Sequence, residues 1–205
     1  NAFYSPACDQ LDFHTGTATL DIVGHEYTHG VIQHGSNLIY ARQSGALNES
    51  FADMFGFFVD PANTTIGEGS TLGTLRDLSD PNSLSQPDHM LATQSTDQIG
   101  FRDVAADVAC DNTNDSCRVH TNSGITNKAQ HLIIAGGINR GLAITGLGRA
   151  YAAKLFRNVI VDRLTTTSDF LAARDAEMAE AARLAPVPAT SFTPYQRSCQ
   201  VRNAF

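Results

Sequence analysis

The stretch His25-Glu26-Tyr27-Thr28-His29 constrains this chain more than any other. In a helix of about 3.6 residues per turn, residues four apart share a face, so two imidazoles can aim ring nitrogens at one metal ion. In this HExxH arrangement both His are ligands, and the Glu takes a proton from a water that the metal activates. Five letters also arise by chance in a helix that merely carries two histidines, so the surrounding sequence has to decide. The helix is predicted from Leu20 to about His34. Its buried stripe is read as Leu20, Val23, Tyr27 and Val31, with the histidines on another face.

A catalytic zinc takes three protein ligands and keeps a position open. Glu49 is the best third donor, 20 residues past His29 (49 minus 29), which leaves room for a loop and a return helix. That second helix is predicted with Ser44 as its cap, running through Val59. Asp53, one turn beyond Glu49, can accept the free ring N–H of a ligating His and fix its tautomer. Both acids sit among Leu47, Phe51, Met54, Phe55 and Phe58, where unpaired charge is costly and a metal supplies the compensation. An exposed helix with two acids four apart is the bland alternative, and it fits such apolar company poorly.

The 205 residues suit one domain or at most two, and no apolar run approaches the roughly 18 residues of a membrane span. A formal net charge of -7, with Lys128 and Lys154 the only lysines, argues against nucleic acid or an anionic membrane as partner. Residues 61 to 119 are rich in Gly, Ser, Asp, Asn and Pro and read as loops and short strands that wall a cleft. Helices are predicted from Thr121 to Ile134, Gly148 to about Leu164 and Ser168 to about Leu184, with a last start at Thr193-Pro194. Asn1 to Tyr4 can make an edge strand. The fold class is therefore α+β and predominantly helical. None of the four cysteines has C-x-x-C spacing. Cys110 and Cys117 flank a turn-forming run and can bridge easily, which leaves Cys8 and Cys199 as the remaining pair and points to an oxidising compartment.

The runs GHEYTHGV and SGALNESFADMFG, with Tyr40 between them, resemble the thermolysin-like zinc endopeptidases, whose third ligand is the Glu of an N-E-x-x-x-D segment. Further motifs follow in that family's order: Leu75-Arg76, Ser79-Asp80-Pro81, Pro87-Asp88-His89, Asp115 with Val119 to Ile125, Asn127-Lys128-Ala129 and Gly146 to Arg149. Several dispersed motifs in the right order are far more specific than one HExxH.

The resemblance implies a secreted, zincin-type peptidase acting on peptide or protein substrates, with His25, His29 and Glu49 on zinc and Asp53 behind them. It implies Glu26 as general base, Tyr40 and His120 as donors to the oxyanion, and Asp115 orienting His120. Arg76 would bond substrate carbonyl, and Asn1 with Ala2 would hold the substrate backbone extended. Leu75, Ile22 and Ile66 would line an apolar pocket after the scissile bond, giving cleavage on the amino side of hydrophobic residues. Asp21, Asp60 and Glu68 match positions of a calcium site in a loop that is shortened here. His14, His34, His89 and His131 are left as structural or surface residues.

The resemblance also implies, as a partner of these residues, a β-rich half ahead of Asn1 that they do not include, or a pro-segment. Residues 1–43 are thus read as an edge segment plus the active-site helix and 44–205 as a mainly helical portion. Together they make a single incomplete catalytic domain with a truncated N-terminal β region. Extra sequence around Leu91 to Asn114 lies ahead of His120. An inert zinc-bound fragment, acting as a structural or binding module, is the alternative reading.

Overall fold

The computed structural model describes residues 1–91, 99–185 and 192–205. The first strand, β1 (Ala2–Ser5), pairs antiparallel with β2 (Gln10–Phe13), Ala2 opposite Phe13 and Ser5 opposite Gln10. Helix α1 (Leu20–His34) then leads through a short loop to α2 (Arg42–Val59). The irregular stretch contains only the two-residue strands β3 (Thr65–Ile66) and β4 (Arg76–Asp77), paired antiparallel, and a 3-10 turn at Pro81–Leu84, among the described residues before Asn112. Residues 92–98 of the extra sequence lie outside the described residues. The chain closes with α3 (Asp115–Ala135), the hairpin β5 (Gly137–Asn139) and β6 (Leu142–Ile144), and helices α4 (Arg149–Asp162), α5 (Phe170–Arg183) and α6 (Pro194–Ala204).

The core forms around α2. Leu47, Phe51 and Met54 are fully buried against Ile133 of α3, Leu155 and Phe156 of α4 and Ala173 of α5. Phe156 sits between two rings of α2, edge-on to Phe51 at 6.0 Å and stacked on Phe58 at 6.2 Å. Two glycines let α1 lie close on α2. A Cβ on Gly24 would stand 3.1 Å from Gly56 Cα, and one on Gly56 would stand 2.6 Å from the Asp21 carbonyl oxygen. No helix among the described residues is long and apolar enough to cross a membrane.

Several expectations need correction. On α1 the residues read as a buried stripe do not form one: Leu20 is 62% and Tyr27 65% exposed and Val23 and Val31 are half-buried, Val31 against the core, while Asp21, Ile22, His25, Glu26 and Thr28 are buried. Apolar spacing found the helix but not its inner face, because that face meets the acids of α2. Ser44 lies in the first turn of α2 rather than at its cap, its hydroxyl donating to the Ile39 and Ala41 carbonyls at 2.7 and 2.9 Å. Asp169, not Ser168, caps α5, accepting from Ala172 N–H at 2.8 Å. The hairpin after α3 was not foreseen. Its turn, Arg140-Gly141, takes positive φ of 47° and 83°, the primed geometry whose twist suits a two-residue connection. Cys110 and Cys117 are bridged, whereas Cys8 and Cys199 are both free, so the leftover pairing does not form.

Glu177 of α5 is fully buried and accepts from Gln130 Nε2 at 3.0 Å, while Ser50 Oγ donates to Gln130 Oε1 at 3.1 Å. A polar chain thus ties α5 through α3 to α2. Burial pushes the Glu177 carboxyl up to about 8 from its ordinary 4.5, against the smaller pull of Gln130. Because the folded value lies above the unfolded one, the contribution of Glu177 to stability is complete below pH 4.5 and is lost as pH climbs through 8. Glu177→Gln should therefore melt higher than wild type at alkaline pH, by the equivalent of roughly 1–3 kcal/mol. The gap should close in acid, as calorimetry at the two pH values would show.

Candidate metal centre and its cleft

Three donors converge where α1 crosses α2. His25 Nε2 and His29 Nε2 are 3.0 Å apart, and Glu49 places Oε2 3.4 Å from the first and Oε1 3.5 Å from the second. The far side of each imidazole is fixed. His25 Nδ1 lies 2.9 Å from Asp53 Oδ1, and His29 Nδ1 lies 2.8 Å from Asn48 Oδ1. An acceptor opposite each Nδ1 puts the ring proton there, so both Nε2 atoms turn bare lone pairs toward each other. Two lone pairs at that distance repel unless a cation lies between them. Glu49 Oε2, in a residue with no exposure, has no hydrogen-bond partner among the described residues. The donor set of two imidazoles and a carboxylate therefore fits a divalent metal of the zinc type, and 3.0–3.5 Å is close to the edge of a tetrahedron with bonds of about 2 Å.

The acids behind the donors are compensated. Asp53, fully buried, also accepts from Asn127 Nδ2 at 2.9 Å and lies 2.6 Å from Arg76 Nε. Burial alone would raise the Glu49 carboxyl, but His120, His25, His29 and Arg76 together hold it far below the usual range. Burial opposes ionisation of Asp53 too, and Arg76 with His25 more than offsets it. Arg76 is driven up by the same two carboxylates against its own desolvation.

A cleft of about 730 Å³ opens over the donors, its floor made by His25, Glu26, His29 and Glu49. Glu26, 7% exposed, is held by a backbone group across the gap: Tyr4 N–H donates to Glu26 Oε2 at 3.0 Å. On the other wall Tyr40 Oη donates to Glu49 Oε1 and lies 3.2 Å from His120 Nε2, which is itself 3.4 Å from Glu49 Oε1. Asp115 accepts from both the His120 backbone N–H, at 3.1 Å, and His120 Nδ1. Burial would lower the His120 imidazole, yet Glu49 and Asp115 raise it. Burial and the neighbouring Glu49 both push the Tyr40 phenol up, so it stays a donor. Asn1 and Ala2 line the cleft beside Phe3.

Other expected residues stand elsewhere. Arg76 is 6% exposed beneath the donors and is not part of the cleft lining. Ile22 and Ile66 are in the interior, and Leu75 is exposed away from the cleft. Asp21, Asp60 and Glu68 do not converge. Asp21 Oδ2 takes the Gly67 N–H, and Glu68 takes Asn63 Nδ2 and, at 2.7 Å, Thr65 Oγ1. Among the described residues, His25, His29 and Glu49 are the one group of three whose ligand atoms lie within 4.8 Å of one another. Sequence reasoning missed Asn48, although an amide beside the third donor and one turn before the apolar run was a signal that it could reach a ring nitrogen. It also missed the Tyr4 N–H, for which no side-chain pattern exists.

The sequence profile of the thermolysin metallopeptidase alpha-helical domain matches residues 36–197, beginning just after the HExxH helix. The chain is 37% identical over 170 residues to bacillolysin of Brevibacillus brevis, covering 80% of this chain and 29% of that protein. It is 38% identical over 175 residues to thermolysin of Alicyclobacillus acidocaldarius, again covering 80% and 29%. To a zinc metalloproteinase of Renibacterium salmoninarum it is 37% identical over 166 residues, 76% of this chain and 28% of that one. The chain thus spans under a third of the length of these relatives. The solved precursor of protealysin, a metalloproteinase from Serratia proteamaculans, shares the fold with a TM-score of 0.66 at 24% identity, covering 99% of this chain and 63% of that one. With a family profile over most of its length, relatives 37–38% identical to it and a shared helical fold, the chain belongs to the thermolysin family of zinc metallopeptidases.

Proposed function

We propose that these residues form the zinc-binding, helical portion of a secreted endopeptidase. The reading is carried by two imidazole Nε2 atoms 3.0 Å apart, each ring anchored through its Nδ1, beside a buried carboxylate oxygen that has no hydrogen-bond partner among the described residues. Zinc bound by His25, His29 and Glu49 supplies a Lewis acid that polarises a peptide carbonyl and acidifies a water. Everything else falls to the chain. Glu26, with one oxygen held by the Tyr4 N–H, is oriented to take the proton of the attacking water and to pass it to the leaving amine. Tyr40 and His120 donate to the oxygen on which charge develops, and Asp115 keeps the His120 ring turned toward it. Ala2, on a strand whose partner β2 takes one edge, and Asn1 just ahead of it line the cleft where an extended substrate would lie. The apolar side chains of Phe3, Leu38 and Ile39 in the cleft support a preference for substrates with hydrophobic side chains. The disulfide supports an oxidising, extracellular setting.

Zinc added back to the metal-free protein should restore hydrolysis of a blocked Gly-Leu peptide in step with one bound equivalent. A Leu-to-Asp change after the scissile bond should slow it. Zinc bound with no hydrolysis would favour an inert binding module instead. Tyr40→Phe removes one donor and should lower kcat by ~10- to 100-fold with KM within about twofold, since the lost contact acts in the transition state.

A further inference from the structure

Asp115, Ser116, Cys117 and Arg118 take left-handed φ of 57°, 48°, 66° and 70° immediately ahead of the helical turn that carries His120. None is glycine. L-residues enter this region singly, not in runs, because Cβ crowds the following carbonyl oxygen. The neighbouring chain shows what holds the run in place. Cys117, 2% exposed, is bridged to Cys110. Asn114 Oδ1 accepts from Cys117 N–H at 2.8 Å and from Asp111 N–H at 3.2 Å, and the Asp111 carbonyl accepts from Ser116 N–H at 2.8 Å.

The segment on the other side of the bridge is itself fastened down. The Arg42 guanidinium donates to the carbonyls of Val104, Ala105 and Val108 at 2.7, 3.0 and 3.1 Å. Arg102 exchanges backbone hydrogen bonds of 2.9 Å with the Asn122 side chain in both directions. What the left-handed run delivers is the Asp115 carboxylate, which grips His120 at two points and turns its Nε2 toward Tyr40 and Glu49. Released from the bridge, the run keeps only the Asn114 and Asp111 hydrogen bonds against a return to right-handed or extended backbone, a return in which Asp115 would leave His120. The imidazole, with 47% of its side chain exposed, then keeps only its Nε2 contacts to Tyr40 and Glu49 and loses what fixes its other edge.

We propose that the Cys110–Cys117 disulfide is a positioning element of the active site, clamping the left-handed turn so that Asp115 holds His120 toward the cleft. This rests on the reading of His120 as a donor to the developing oxyanion. The test compares the zinc-loaded full chain as wild type, Cys110→Ser/Cys117→Ser, Asp115→Asn and all three substitutions together. The double Ser variant should keep one equivalent of zinc and its KM within about twofold while kcat falls by ~10². The triple variant should be no slower than Asp115→Asn alone, because both changes act through one contact. A readout apart from turnover is the imidazole resonance of His120, expected to pass from a single fixed signal to an averaged one.

Since Ser at the buried Cys117 position could itself disturb folding, the wild type is also treated with a water-soluble phosphine. The phosphine takes up the oxygen of one water, and the two sulfurs leave as thiols carrying its hydrogens. Loss of kcat on reduction and its return on reoxidation support the proposal. An unchanged kcat with a lower Tm, losses that multiply in the triple variant, or release of zinc on reduction each overturn it. A wild type without turnover sinks the peptidase reading alone, and the His120 resonance then still decides the positioning claim.

Discussion

Glu26→Gln should leave zinc bound and abolish hydrolysis, with kcat down by at least ~10³-fold, the upper part of what a positioned base contributes. The substitution is close to isosteric. Its amide oxygen can still accept from the Tyr4 N–H, which in the wild type reaches Glu26 Oε2 at 3.0 Å, so the side chain should keep its place on the cleft floor. What disappears is the only property the step needs, a carboxylate that can take a proton and return it. Glu26 lies outside the donor group of His25, His29 and Glu49, so metal content should not change. Zinc analysis beside single-turnover hydrolysis is the check, and a Glu26→Gln variant that kept more than about a tenth of wild-type kcat would remove Glu26 from the role.

Asp53→Ala should cost more stability than any surface change, about 3–5 kcal/mol, because it leaves a buried guanidinium without its closest anion. Three groups converge on that carboxylate: His25 Nδ1 at 2.9 Å, Asn127 Nδ2 at 2.9 Å and Arg76 Nε at 2.6 Å. Removing it strands all three in the interior and frees the His25 ring. Asp53→Asn is the gentler companion, keeping an acceptor for the ring proton but not the charge. It should retain the fold while zinc affinity drops by ~10- to 100-fold. Urea unfolding of the two variants and competition with a chelator separate these effects, and an Ala variant as stable as wild type would show that Arg76 finds its compensation elsewhere.

The sequence revealed the donors and hid much of their support. That His25, His29, Glu49 and Asp53 would converge was legible because helical spacing and ligand chemistry are both written in side chains. Helix starts at Thr193 and near Arg149 were legible for the same reason, through caps and turn residues. The orientation of α1 was not, since apolar periodicity marks hydrophobic residues and the buried side of this helix is the one that carries polar groups toward α2. The resemblance put Arg76 on substrate; what side-chain spacing did not reveal is that it also lies against Asp53 as a counterion of the site's acids. The Tyr4 N–H and the left-handed run before His120 depend on backbone, which is nearly silent in one-letter code. Only the glycine-free string around Cys117 hinted that something other than glycine must impose the turn.

The close crossing of α1 and α2 at Gly24 and Gly56 has a consequence for the metal centre. One helix brings both imidazoles and the other brings the carboxylate, so the spacing of the donors depends on how closely the two helices approach as well as on the ligands themselves. A single methyl at Gly56, which would stand 2.6 Å from the Asp21 carbonyl oxygen, would wedge the two helices apart. A position two turns of α2 beyond the third ligand thus helps to set how the donors are spaced, without being one of them.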